Sequence, residues 1–524
     1  MEFDYVVVGA GSAGCAVAAR LSEDPTVTVA LLEAGGPDDH PDIRVPLGAL
    51  ELIGSELDWD FGTLPQPHLG GREVRWPRGR VLGGSSATNF QMWVPGHAED
   101  FTSWPPSWSW EQVWPWFRRA EHWAGPAEDG GALGTGGPLW ISPQRDPDAS
   151  SLRFLQACAE VGLAPVDGGL AGPDNRGYAL TPVTQRDGAR WSSADGYLRP
   201  ALHRPNLTVL TGAQAHRVLI DAGHRATGVR LADRTVTARR EVVLSAGAVG
   251  SPHLLLLSGI GDPDDLRATG VRPQVELPAV GRGLHDHMIL DLAVRADDAT
   301  RFLQDGRERY QRDRMGPLTS NIGEAVALLR ADGAAGAPDV ELIWSPMAFD
   351  DAGTPIPGYT LGVVLLRPRS RGRLTLGSAD PHTPPRIDPG YLTDDADLQT
   401  FVAGVRFAER ILDSAALRTL HQGPVVPWPA DGTAAEYVRQ RAQTVFHPVG
   451  SCRFGDVVDA DLRVHGVTGL RVADASVIPE APRGHTHAHA VMIGERAADL
   501  IRASGVLSHP AAQEVVDERP VAAR

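Results

Sequence analysis

Two short unbroken apolar runs open the chain. Asp4 to Val8, β-branched and aromatic, reads as a buried strand, and Val27 to Leu32 reads as a second. Between them the Ala-rich stretch from Cys15 to Ser22 predicts a helix. Further on, Leu152 to Glu160 predicts a helix that opens a different region. Asn206 to Leu210, Val218 to Ile220, Ala226 to Leu231 and Glu241 to Ser245 read as short strands separated by turns, which fits a hairpin layer attached to the first sheet. His253 to Leu257 and Val491 to Ile501 predict helices. From Ile289 to about Arg441 the pattern changes. Val326 to Leu329, Val340 to Trp344, Gly362 to Leu366 and Arg373 to Leu376 read as antiparallel strands, and Asp394 to Leu412 as a longer helix. The expected organisation is α/β. A discontinuous nucleotide-sheet unit covers 1–150, 198–288 and 442–505, and an antiparallel sheet-plus-helix unit is inserted at 151–197 and 289–441. The polar, Pro-containing tail 506–524 is expected to be mobile.

The junction of the first strand and helix carries Gly9-Ala10-Gly11-Ser12-Ala13-Gly14. Gly9 permits a tight turn, Gly11 lets backbone N–H groups approach a pyrophosphate, and Gly14 lets the helix pack closely on the sheet. Glu33 ends the second strand nineteen residues after Gly14, where a carboxylate accepts hydrogen bonds from a ribose diol. Glycines alone are weak evidence; strand, glycines, helix, strand and acid in register are stronger.

Composition narrows the class. At 42% apolar and 22% charged residues the 524-residue chain is that of a globular protein with large cores. A net charge of −16 argues against nucleic acid as a partner. No apolar run is long enough to span a bilayer, and no secretory leader precedes the first strand. Cys15, Cys158 and Cys452 are too few and scattered for a disulfide or zinc framework, so a reducing cytoplasm is the expectation. Abundant Ala, Gly, Pro and Arg fits a high-GC bacterial genome.

Other segments carry candidate chemistry. Gly83-Gly84-Ser85-Ser86 offers close backbone approach and hydroxyl donors to a phosphate or flat ring, although taken alone an ordinary Gly-Ser loop is the preferred reading. Trp104, Trp108, Trp110, Trp114, Trp116 and Trp123 read as core packing rather than a stacking platform. Glu128 to Pro138 reads as a surface loop. Leu284-His285-Asp286-His287 lacks a nearby third metal ligand and reads as a loop lock. The alternating histidines of His485-Thr486-His487-Ala488-His489 permit a metal-binding reading; an extended approach to the last helix is preferred, and no metal site is assigned. His447 lies in Phe446-His447-Pro448-Val449-Gly450, and Asp474-Ala475 follows Leu470 to Ala473.

Taken together, these blocks resemble the glucose–methanol–choline family of FAD-dependent oxidoreductases in order and spacing across nearly the whole chain. The resemblance implies a Rossmann-like FAD-binding domain with an inserted substrate domain. It implies that Gly9, Gly11, Gly14 and Glu33 hold the ADP half of FAD, and that the backbone of Val218 meets the adenine. Asn89, beside Gly83 and Gly84, would lie along the flavin and pyrophosphate, and Asp474 and Ala475 would contact the pyrophosphate and ribityl chain. Ser12, Ala13, Ala34, Arg80, Ser85, Ala246, His487 and Ala488 complete the implied cofactor contacts. His447 matches the family's catalytic histidine. His487, eight residues before Glu495, matches the second catalytic position, where relatives carry His or Asn. Some members attach FAD through a histidine at the position of Thr88, so non-covalent FAD is expected here. Pro95 stands where the family usually has Arg. The implied reaction is oxidation of a primary or secondary alcohol. His447 takes the hydroxyl proton as hydride leaves for flavin N5, and His487 holds the same oxygen. The electrons pass on to O₂, a quinone or a redox partner. The alternative on this scaffold is a hydroxynitrile-lyase-like enzyme that keeps FAD without redox use.

Overall fold

The first apolar run forms strand β1 (Glu2–Val8), of which Tyr5 to Val8 are buried. The computed structural model describes residues 1–127, 131–304, 306–427 and 434–507, and in it β1 runs through the middle of a seven-stranded sheet. Helix α1 (Ser12–Leu21) leaves its carboxyl end, and strand β2 (Val29–Leu32) returns parallel to it with Val7 opposite Leu31. Strand β3 (Leu207–Leu210) adds in parallel beyond β2, and β4 (Thr235–Leu244) adds in parallel on the other side of β1. Parallel strands covered on both faces need unbroken apolar runs, and these have them.

The expected hairpin layer is therefore corrected. Leu207–Leu210 and Glu241–Leu244 belong to the parallel core, and only Arg217–Ile220 and Ala226–Arg230 turn back on β4 as antiparallel strands. Short runs separated by turns do not encode the direction of pairing. Leu470–Val472 pairs in parallel with the end of β4, so that Val8, Leu244 and Val472 lie side by side. Gly9, Ser245 and Ala473 thus leave the sheet together at its carboxyl ends, where open α/β sheets bind ligands. Helix α2 (Gly247–Leu257) follows β4, and the long helix α3 (Thr486–Leu507) packs on α1. Because α3 begins at Thr486, the preferred extended reading of residues 485–489 holds only up to His485.

A second sheet has six antiparallel strands in the order Gln443–Thr444, β5 (Met288–Arg295), β6 (Gly358–Leu365), Val340–Ser345, Ala325–Leu329 and Gly177–Leu180. β5 was not foreseen as a strand, although it alternates: Met288, Leu290, Leu292 and Val294 are buried, while Ile289, Asp291 and Ala293 face a cavity. Gly372–Thr375 lies outside this sheet, pairing with Arg282–Leu284 and Arg386–Asp388. Helix Asp395–Leu412 covers β6, and Gly404 makes room for Val363 and Val340, which a Cβ there would meet at 3.0 and 3.1 Å.

The tryptophan-rich stretch is packing. Trp104 and Trp108 are buried, and helix Trp110–Ala120 turns Val113, Phe117 and Ala120 inward near α3. Residues 128–130 of the expected surface loop and 508–524 of the tail lie outside the described residues.

The two helices α1 and α3 are joined by Glu495, which is fully buried. It accepts from Arg20 Nε at 2.9 Å and Nη2 at 2.8 Å and from the Tyr197 hydroxyl at 2.7 Å, and it faces Arg119 Nε at 3.2 Å. Glu495→Gln removes the buried carboxylate shared by two arginines, which keep only their outer partners Glu23 and Asp499. The expected loss is roughly 3 kcal/mol, the low end for a broken buried pair because both arginines keep some water. Urea denaturation of the cofactor-loaded protein measures it, and an unchanged midpoint contradicts the assignment.

Candidate active site

A single cavity of about 1450 Å³ joins the carboxyl ends of the parallel strands to the open face of the second sheet. That exceeds the ~300–1,000 Å³ of one small-molecule pocket. Its walls fall into two sets of residues.

The first set is a glycine-built cradle. At Gly9, with φ +97°, a Cβ would lie 2.5 Å from the Ser245 carbonyl oxygen, and at Gly14 one would lie 1.8 Å from the Gly9 oxygen. Gly84, with φ +52°, approaches Gly11 so closely that a Cβ would fall 2.7 Å from its Cα. The Gly-Ser loop therefore rests directly on the first turn of α1, pinned by the Gly83 N–H donating to the Ala10 carbonyl at 2.8 Å. No side chain caps the N-terminus of α1, so its backbone donors remain for an anion, whereas the first N–H groups of α2 are taken by Asp474 and Ser251. The Glu33 carboxylate accepts the Ala10 N–H at 2.9 Å and the Gly35 N–H at 2.8 Å. Burial pushes its pKa up to about 7 against the pull of those donors. Asp474 accepts from the Gly247 N–H at 2.9 Å, the Ser251 hydroxyl at 2.6 Å and the Ser476 N–H at 2.8 Å, tying the start of α2 to the end of the last parallel strand.

Gly9, Gly11, Ser12, Ala13, Glu33, Ala34, Arg80, Gly84, Ser85, Asn89, Ala246, Asp474 and Ala475 line this cavity, as do Thr88, His447 and His487. Gly14 and Gly83 stand behind the wall as close-packing positions. Two expected contacts are corrected. The Val218 N–H is already donated to Ser258 Oγ at 2.8 Å, and Ala213, Gln214 and Ala215 in the preceding loop face the cavity instead. Ala488 does not line the cavity: one helical residue turns by ~100°, so His487 and Ala490 face it and Ala488 turns into the core. Arg80 Nε and His487 Nε2 are buried without a hydrogen-bond partner in the protein. Open glycine backbone, the free N-terminus of α1 and the unpartnered Arg80 Nε fit a dinucleotide with an anionic linker, as FAD has.

The second set surrounds His447. Gln443–Thr444 leads into Phe446, whose φ of +67° lies in the left-handed region. This backbone is held by the Phe446 N–H donating to Thr444 Oγ1 at 2.7 Å and by Arg78 donating to the Phe446 carbonyl at 2.5 Å. The His447 N–H donates to Asp286 Oδ1 at 2.8 Å. Gln91 and Ile322, with φ of +61° and +74°, also line the cavity, so left-handed backbone gathers around the site. Beyond His447 the wall carries an apolar patch of Phe90, Met92, Ile289, Ile343, Phe349 and Val426 beside the polar Ser345 and Thr360, and Asp291 is paired with Gln443 at 2.9 Å. Gly362 keeps this lobe open, since a Cβ there would lie 2.7 Å from Ile289 Cδ1.

His447 Nδ1 lies 3.0 Å from Nδ1 of His287, and the ring of His485 stands edge-on at 4.7 Å between centroids. His485 Nε2 reaches Glu341 Oε1 at 3.1 Å. His487 Nδ1 meets Ser12 Oγ at 2.9 Å, with its ring edge-on to Trp93. His489 is boxed in by Phe101, Trp104 and Phe117 and does not line the cavity. The three histidines of residues 485–489 therefore diverge and share no ligand point; among the described residues no metal-holding group of three His, Cys, Asp or Glu forms. Burial, then the neighbouring His485, His287 and Arg78, holds the His447 pKa well below the usual histidine value. Burial and Arg190 lower His487 to about 4.

Sequence reasoning missed His287 and His485. The Leu284–His287 loop is a lock as expected: His285 holds the Pro368 carbonyl at 2.5 Å and accepts the Ala481 N–H at 2.9 Å. It also delivers a ring to the catalytic candidate, and only the short His-x-His spacing hinted at that.

Residues 3–289 and 368–494 match the GMC oxidoreductase family. An uncharacterized GMC-type oxidoreductase of Mycobacterium tuberculosis is 46% identical over 527 residues, covering 96% of this chain and 99% of that protein. The alcohol dehydrogenase (acceptor) of Pseudomonas putida is 38% identical over 529 residues, covering 95% of each. The crystal structure of pyridoxine 4-oxidase from Mesorbium loti superposes with a TM-score of 0.87 at 32% identity, covering 96% of this chain and 99% of that one. The fold, the cradle and these likenesses agree: the chain belongs to the GMC oxidoreductase family, enzymes that use FAD to oxidise CH–OH groups.

Proposed function

We propose that this enzyme oxidises an apolar primary or secondary alcohol to the aldehyde or ketone, with FAD bound non-covalently and His447 as the base. The observation that carries the reading is His447 in the cavity wall, neutral by burial, where the glycine cradle meets an apolar lobe. An alcohol gives up hydride only as its hydroxyl proton is taken, and a neutral imidazole takes that proton. When bound, FAD supplies the two-electron acceptor for the α-hydrogen. His487, with Nδ1 engaged by Ser12 and Nε2 unpartnered, is suited to hold the same oxygen as it gains charge. The electrons then pass to O₂ or to a quinone-type acceptor. Three buried, free cysteines support a reducing, cytoplasmic setting.

Anaerobic stopped-flow reduction separates these roles from the lyase alternative, in which an alcohol leaves the flavin colour unchanged. His447→Ala is expected to slow reduction by roughly 10²–10⁴-fold. His487→Ala is expected to cost about 10²-fold, and His487→Asn less, because an amide still donates to the oxygen. His489→Ala serves as the packing control, a role His485 cannot fill because its ring stands against His447. The acid limb of kcat/KM is expected below about 6.5, since the base must be unprotonated and its pKa is lowered. A full-rate His447→Ala variant removes the proposal.

The apolar lobe sets a second expectation. Across a series of straight-chain primary alcohols, kcat/KM rises by up to about fourfold per added methylene until the lobe is full, following ~0.8 kcal/mol per buried CH₂. A flat series with sugars preferred contradicts it.

Thr88 lines the cavity and has no nucleophilic ring nitrogen with which to tether a flavin. Acid precipitation is expected to leave yellow supernatant and colourless protein; flavin retained in the pellet would show a covalent bond.

A further inference from the structure

A chain of polar atoms lies behind the His447 ring. The Leu366 carbonyl oxygen is 3.0 Å from His287 Nε2, and His287 Nδ1 is 3.0 Å from His447 Nδ1. A carbonyl only accepts, so His287 Nε2 carries a proton. His287 has no exposed surface, and burial, with His485 next in weight, lowers its pKa to about 3, so the ring is neutral near pH 7. A neutral imidazole protonated at Nε2 has a lone pair at Nδ1. Two lone pairs do not attract at 3.0 Å, so the proton between the rings belongs to His447 Nδ1. His447 is neutral too, which leaves its lone pair on Nε2.

We infer that His287 is a positioning residue that selects the Nδ1–H tautomer of His447 and thereby presents an unprotonated Nε2 to the substrate hydroxyl. The inference rests on the reading of His447 as the base. A second bond supports it: the main-chain carbonyl of His287 accepts the Val445 N–H at 3.1 Å, so its strand is fastened to the segment that bears His447. The opposite tautomer would turn an N–H toward the alcohol and offer no base. Where a catalytic histidine is held in the wrong tautomer in a Ser-His-Asp triad, kcat falls by about 10⁴.

The test begins with the [¹⁵N]histidine-labelled holoenzyme. Long-range ¹H–¹⁵N correlation reports which nitrogen of His447 is protonated, its signals being identified by their loss in His447→Gln. Nδ1–H is expected, and a wild-type spectrum showing Nε2–H overturns the inference whatever the activities. Two substitutions then separate tautomer selection from packing. His287→Phe fills the volume without a lone pair, and is expected to slow anaerobic flavin reduction by 10- to 1,000-fold with little change in KM and to mix the His447 tautomers. His287→Gln offers an acceptor to His447 and a donor to Leu366, and is expected to stay within about fivefold of wild type. A His287→Phe enzyme that keeps its FAD and reduces it at the wild-type rate overturns the inference. If that variant loses FAD, the wild-type spectrum decides. A full-rate His447→Ala enzyme would instead defeat the base reading and leave the tautomer result standing, so the two failures are distinguishable.

Discussion

Asp286 is buried and accepts the Tyr391 hydroxyl at 2.5 Å, the Thr444 hydroxyl at 2.6 Å and the His447 N–H at 2.8 Å. Burial raises its pKa, and these donors, with Arg78 nearby, work against that shift. A carboxylate in this position is a junction of three segments. Tyr391 is fixed in turn by Trp76, whose Nε1–H donates to its hydroxyl at 2.9 Å. Thr444 belongs to the edge strand of the second sheet, and His447 follows the left-handed Phe446. A non-glycine residue in that conformation costs of order 1–3 kcal/mol and persists only where its surroundings over-determine it. Here Asp286, Thr444 and Arg78 do so, and the strained turn sets the direction of the His447 ring.

The two sheets divide the work by their geometry. The parallel sheet releases Gly9, Ser245 and Ala473 from adjacent strand ends, which sets the uncapped N-terminus of α1 beside the start of α2, itself held by Asp474. The antiparallel sheet alternates, so β5 buries one row and offers Ile289, Asp291 and Ala293 to the cavity. Histidines concentrate where the two meet. Burial there disfavours the imidazolium form, the condition that the role proposed for His447 requires. Glu341, engaged by His485, and Ser12, engaged by His487, hold the neighbouring rings in place.

Much of the cofactor side was legible because its chemistry is local. Gly9, Gly11 and Gly14 act within one strand–turn–helix, and the structure shows what a Cβ at Gly9 and Gly14 would strike. The packing reading of the tryptophans also holds for Trp104 and Trp108, which are buried, and for Trp110, Trp116 and Trp123, which pack partly buried against the core. The readings that failed were matters of direction or register. Val218 was placed three residues beyond Ala215, and Ala488 one residue from His487, because an aligned motif does not say which side of a strand or helix turns to the ligand.

What the chain's own pattern determined was the strand–glycine–helix unit and the order of its blocks, and the resemblance those blocks carry is what made His447 and His487 candidates. Apolar run length and glycine spacing act between near neighbours, so they can be read without a fold. The tertiary structure alone decided that His287, 160 residues from His447 along the chain, touches its ring, that His485 stands beside it, and that His489 sits in an aromatic box. Contacts across that distance depend on pairing of the Met288 strand with residues 443–444, which exists only once the second sheet is assembled.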